Sequence, residues 1–218
     1  MRCGVSGLLI LVGGLLGSPG FAWADRGALT LEGGGHVAFT DVGVPYGTGA
    51  NVVGTSGGGS AGLRYAITNR LELAVGGFWD PAVSYLHQPV ALATANGAFS
   101  GAMPSRVGGF GAHGGVRYAL YGLVWRFKVG CDLGWAHTYY EQPDLVDVSD
   151  PATPVSYGLK LSNVGLDRLL VAPTVGVEWQ ASDHFSVSLM PRLQALFGSQ
   201  AGYSVVLPLT IGWSWYFL

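Results

Sequence analysis

Residues 207–218 read Leu207-Pro208-Leu209-Thr210-Ile211-Gly212-Trp213-Ser214-Trp215-Tyr216-Phe217-Leu218. Every odd position is large and apolar, and the positions between are mostly proline, threonine, glycine and serine. Successive side chains of a strand point to opposite sides. As a strand, the segment therefore has one aromatic-rich apolar face and one face of mainly small residues. Wound as a helix, the same residues would scatter around the axis.

The same period of two recurs upstream from residue 28, with 36 glycines spread through the chain. It predicts eight strands, at 28–40, 53–67, 71–79, 108–119, 124–138, 168–180, 185–197 and 205–218. Their connections alternate in length. Thr68-Asn69-Arg70, Tyr121-Gly122 and 181–184 are tight turns, whereas 41–52, 80–107, 139–167 and 198–204 are longer, with Pro143, Pro151 and Pro154 in the third. Short turns on one rim and long loops on the other mark an up-and-down antiparallel barrel that spans a membrane.

Charge placement says which face meets lipid. Glu32, Arg64, Glu72, Arg117, Arg126, Lys128, Asp132, Glu178 and Arg192 all fall on the face carrying glycine, alanine, serine and threonine. The opposite face holds Leu, Val, Phe and Trp and no charge within the strand bodies. A soluble barrel would turn that apolar face inward, but the interior of eight strands has no room for so many large side chains. Aromatic residues reinforce the assignment. Tyr65, Tyr118, Trp125, Trp179 and Phe185 lie beside the tight turns, and Phe39, Trp79, Phe110, Trp135, Tyr139 and Phe197 near the loops. Such two-ended banding suits the two water interfaces of a bilayer.

Composition agrees, with 11% charged against 49% hydrophobic residues. The N-terminus has Arg2, an apolar run from Val5 to Leu16 and then Ala22-Trp23-Ala24. These are the parts of an export signal, predicting residues 1–24 as a cleaved signal peptide and 25–218 as the barrel. Cys3 leaves with the signal, so Cys131 stands alone and no intrachain disulfide can form. Thirteen acidic residues against ten basic ones after loss of Arg2 give no footing for nucleic acid.

The final strand resembles that of the small outer-membrane barrel proteins of Gram-negative bacteria, of the OmpA, Ail and OmpW eight-stranded type, although the last aromatic, Phe217, precedes a final Leu218. The resemblance implies export through the periplasm to the outer membrane. It also implies contact with outer-membrane lipid and lipopolysaccharide, and recognition of the C-terminal strand by the barrel-assembly machinery.

Several groups are candidates for chemistry. The nine inward charges form either a structural ion-pair network or a selectivity filter, and the first reading is preferred because five basic and four acidic groups nearly cancel. Arg117 and Arg126 are expected near-opposed across the second turn, with Glu72 and Glu178 as their carboxylates. Pro173 and Pro191 are expected opposite each other in strands six and seven, where each removes a ladder donor, as a bulge or as a lateral gate. His36 and His113 should point inward, His137 outward near the loop rim, and His184 should sit in a turn. A lipid A deacylase would need histidine and serine together at the outer-leaflet rim, and His184-Phe185-Ser186 lies at the wrong end. Glu141, Asp144, Asp147 and Asp150 in the third loop lack the spacing of a calcium loop. No metal, cofactor or catalytic residue is expected.

These readings converge on a non-enzymatic outer-membrane barrel with a closed or narrow charged lumen and an envelope or surface-interaction role. The alternatives are a narrow channel for small or hydrophobic solutes, with or without a lateral gate, and a lipid-modifying enzyme. The extracellular ligand is not legible, because loops follow no general code.

Overall fold

A computed structural model describes residues 26–43, 51–84, 88–94, 97–103, 106–122, 124–141, 144–147, 155–160 and 162–217. The expected signal segment 1–24, its cleavage point, the loop prolines 143, 151 and 154, and Asp150 lie outside these residues.

Thirteen strands are present among the described residues: β1 Ala28–Gly43, β2 Asn51–Ala66, β3 Leu71–Ser84, β4 Gln88–Thr94, β5 Gly97–Met103, β6 Arg106–Tyr121, β7 Trp125–Glu141, β8 Asp144–Asp147, β9 Val155–Lys160, β10 Val164–Gln180, β11 Phe185–Leu189, β12 Arg192–Phe197 and β13 Gly202–Tyr216. Nine of them form one antiparallel ring, in which β13 pairs back onto β1. β11 and β12 occupy the same position between β10 and β13, so they are two halves of one stave. The barrel therefore has eight staves in sequence order, as the alternation predicts.

Register fixes the tilt. Register partners followed once around the ring run Glu32, Gly62, Gly76, His113, Gly134, Leu170, Leu196, Gly202 and Val42. The walk returns to β1 ten residues from its start, and a shear of that size requires staves inclined by roughly 40°. Residues on one rung consequently lie at different heights, and groups that meet in the lumen are diagonal neighbours.

The outward surface is an apolar belt, with Leu31, Val75, Leu133, Leu169, Val175, Leu209 and Ile211 all exposed. Aromatic girdles edge it as expected. Trp125 and Trp179 stack at 6.1 Å at the turn end, and Phe110 meets Trp135 edge to face at 5.6 Å at the loop end.

Three features differ from the reading of the sequence. All staves but the seventh run two to five residues further at the loop end, for example to Gly43, Ser84 and Glu141. The stretches 80–107 and 139–167, expected to be loops, contain two hairpins, which join as a second sheet in the order β4-β5-β8-β9. Stave seven, expected to be continuous, is interrupted at Met190-Pro191. Its inward and outward alternation and its register with both neighbours nevertheless continue unchanged across the gap.

Prolines cause that interruption. Val175 N donates to Pro191 O at 3.1 Å, so odd residues of β10 turn their hydrogen-bonding groups toward stave seven. The register then sets Pro173 against Leu193 and Pro191 against Val175, which are adjacent rungs and not one rung as expected. On the other side Ser214 N donates to His184 O, so even residues of β13 face stave seven, and Pro208 falls opposite Met190. Proline has no N–H to give. Three prolines on three adjacent staves thus withdraw donors from both seams at the middle of stave seven.

Candidate functional site

The lumen is filled in three layers. At the turn end, Arg64 on β2 is buried among three carboxylates: its Nε lies 2.7 Å from Glu32, Nη1 3.0 Å from Glu72 and Nη2 2.6 Å from Glu178. Lys128 on β7 donates to Glu72 at 2.7 Å and lies 2.9 Å from Glu178. Arg126 lies 3.9 Å from Glu178 at the edge of the cluster. Three carboxylates meet three cations, so the layer is electrically balanced. That matters because an unpaired charge removed from water costs several kcal/mol.

The middle layer centres on Asp132, whose side chain is fully buried. Arg117 holds both its oxygens in a bidentate pair, with Nη2–Oδ2 at 2.9 Å. Arg192 Nη1 lies 4.0 Å from Asp132 and 2.9 Å from His113 Nε2. A guanidinium only donates, so His113 Nε2 accepts and its proton sits on Nδ1, 3.4 Å from Asp132 Oδ2. His113 is therefore neutral in this arrangement. Glycines make room for these groups. A Cβ on Gly115 would collide with the Asp132 carboxylate and with Cys131 O, and one on Gly130 would stand 3.0 Å from Arg117 Cδ.

At the loop end the lumen becomes apolar. Val42, Val107, Ala136, Tyr140, Leu170, Ala172 and Leu196 form a buried cluster, with Phe78 packed against it. Arg168 crosses this level fully buried. It donates to Gln200 O at 2.7 Å, Thr138 Oγ1 at 2.8 Å and Tyr140 Oη at 3.1 Å, while Tyr140 donates to Gly43 O at 2.8 Å. β1, β7, β10 and the turn before β13 are thereby tied across the mouth. Beside them His36 and Asp80 meet at 2.5 Å. Among the described residues the lumen holds cavities of about 20 Å³ at the turn end, 10 Å³ beside Arg192 and 50 Å³ under the mouth.

All nine charges read from the sequence do line the lumen. Their partners differ from expectation, because Arg117 stands opposite Gly130 and not near Arg126. The chain around Gly122, at φ 108°, and the irregularity between Ala119 and Tyr121 shift β6 along β7. Arg117 therefore reaches Asp132, and Glu178 and Glu72 serve Arg64, Lys128 and, for Glu178, Arg126. The apolar layer and Arg168 went unread. Leu170, Ala172 and Leu196, all at inward parity, were their signal.

The histidines sit where parity placed them. His36 and His113 are buried in the lumen, and His184 lies at the turn rim with Nδ1 2.8 Å from Ser214 O. His137 faces outward near the loop rim. Its Nδ1 lies 2.9 Å from Asp167 Oδ1, which also accepts the Trp135 indole N–H at 3.0 Å.

No protein-family model and no curated protein matches the chain. Solved structures do. Neisserial surface protein A, NspA, is 12% identical, with 87% of this chain and 100% of that one covered and a TM-score of 0.53. The outer membrane protein OprG from Pseudomonas aeruginosa is also 12% identical, with 88% and 97% covered and a TM-score of 0.54. At that identity the likeness is one of fold alone, that of an eight-stranded antiparallel barrel.

Proposed function

We propose that the chain is a non-enzymatic barrel of the bacterial outer membrane, closed to solutes, which meets its surroundings through the sheet β4-β5-β8-β9. The tight turns then face the periplasm and the second sheet faces outward. The apolar belt supports lipid and lipopolysaccharide as its immediate neighbours, and the alternating strand β13 with Phe217 just beyond it fits recognition by assembly machinery. The two solved barrels, one described as a surface protein and one as an outer membrane protein, are in keeping with this location.

The observation that carries the closed lumen is the stack of three tied layers, with cavities of about 20, 10 and 50 Å³ between them among the described residues. A site of about 10–15 Å³ holds one water molecule. Single-channel recording on refolded protein tests this. The expected trace shows no steady conductance, and a steady current abolished by substituting Arg117 or Arg126 would overturn it.

A narrow channel with a lateral exit is the second reading, favoured by Pro173, Pro191 and Pro208 around stave seven. It predicts uptake of a small apolar solute into vesicles through that seam. A disulfide engineered between stave seven and β10 would block that uptake. Uptake no greater than in protein-free vesicles, with the disulfide closed or reduced, removes this reading and leaves the closed barrel.

A further inference from the structure

The cavity of about 50 Å³ under the mouth has a lining divided by chemistry. Gln194 on β12, Ser204 on β13 and Thr40 on β1 are register partners across three adjacent staves, all at inward parity. Ser56 on β2 and Asp80 on β3 carry this polar arc onward. Elsewhere the cavity meets Val42, Phe78, Val107, Ala136 and Leu196, which belong to the apolar cluster of this level.

The protein does not satisfy the arc by itself. Thr40 and Ser204 share one hydrogen bond at 3.0 Å, and Asp80 is bonded to His36 through Oδ1. The Gln194 amide and the Ser56 hydroxyl have no hydrogen-bond partner among the described residues, although both residues are more than nine-tenths buried and line the cavity. A buried amide or hydroxyl left unpaired costs free energy. Both groups are therefore set to receive something that enters. Asp80, near the loop end of β3, keeps 21% of its side chain exposed and marks where the cavity reaches solvent.

We propose that this cavity binds one uncharged vicinal diol, as a free short polyol or as the edge of a neutral sugar. Its hydroxyls bond to Gln194, Ser56 and Asp80 Oδ2, and its CH groups lie against the apolar side. At about 10–15 Å³ for each water, the space suits a chain of roughly four heavy atoms. Water alone would reach the arc but would also press unpaired O–H groups against Val42, Val107 and Leu196. Charge gives no reason for an ion, because His36 already stands 2.5 Å from the Asp80 carboxylate. The site goes beyond the closed lumen and does not depend on what the second sheet touches, since a diol held under the mouth never crosses the two charged layers below.

Ethylene glycol is the probe, followed by saturation-transfer NMR on the refolded barrel in nanodiscs of deuterated lipid. Saturable binding in the millimolar range is expected. Gln194→Met, which keeps the shape and removes the amide, should weaken it about tenfold, the worth of one net hydrogen bond. Ser56→Leu, which fills the space, should abolish it, and an unchanged urea midpoint shows that each variant is folded. Methyl glucoside that displaces the glycol makes the guest the edge of a sugar; failure to displace it makes the guest a free polyol. No saturable signal means that water alone fills the cavity and overturns the proposal. Affinity unchanged in Gln194→Met also overturns it, as does tighter binding of the ethanolamine cation than of the glycol.

Discussion

Asp132 shows what a single side chain does in this lumen. It is fully buried, and the only carboxylate within 4 Å of Arg117 or Arg192 among the described residues. Asp132→Asn keeps the shape and removes the charge, stranding two guanidinium groups. The expected loss is about 3–5 kcal/mol, read from urea unfolding in lipid vesicles, and a loss under about 1 kcal/mol would mean that water reaches the layer. The triple variant Arg117→Met/Asp132→Leu/Arg192→Met should recover most of that loss, because apolar replacement of a whole buried charge cluster is close to neutral. His137 makes the opposite kind of prediction. Its bond to Asp167 lies on the outward face at the loop rim, where a lipid-modifying enzyme would work. The non-enzymatic reading expects identical lipid A mass spectra from cells expressing the native chain and His137→Ala. A modification present only with the native chain would restore the enzyme. That the nine charges point inward was legible from parity alone. Who pairs with whom was not, because pairing depends on shear and on the turn at Gly122, and neither leaves a mark in the alternation.

At the level of elements, stave seven is the weak member of the ring. Leu193, Val175 and Met190 present carbonyls to Pro173, Pro191 and Pro208, which have no proton to return. Hydrogen exchange on the refolded barrel should therefore find the amides of Met190, Leu193 and Val175 opening well before those of Val187 and Trp179, by tenfold or more for each ~1.4 kcal/mol of lost local stability. Uniform protection along β10 and stave seven would show that lipid packing restores the seam. Pro173 and Pro191 were visible in the sequence as strand prolines, but Pro208 was hidden inside the most regular strand of the chain, where its inward position made it look like one more small residue. The four outer strands were missed for a related reason. A bilayer sorts side chains strictly by face and imposes period two. Beyond it nothing does so, and a segment such as Gln88-Pro89-Val90-Ala91-Leu92-Ala93-Thr94 forms a strand without displaying alternation.

For the whole molecule, the arrangement separates stability from contact with the surroundings. The ring closes on itself through β1 and β13, and every lumen layer is tied by residues of the staves or of the turn before β13. β4, β5, β8 and β9 pair only with one another among the described strands. If the barrel is the folding unit, replacing residues 85–105 with a short turn should leave refolding and the urea midpoint nearly unchanged. Shortening a flexible connection alters closure entropy by only about 0.6 kcal/mol per halving, and the plug layers described above are built from residues outside that stretch. The result is informative in both directions. A midpoint within about 1 kcal/mol of the native one assigns the second sheet to surface contact, because a segment that contributes nothing to folding is maintained for what it touches. A fall of several kcal/mol would make the sheet a lid on the barrel, and the surface-interaction reading would then lose its separate element.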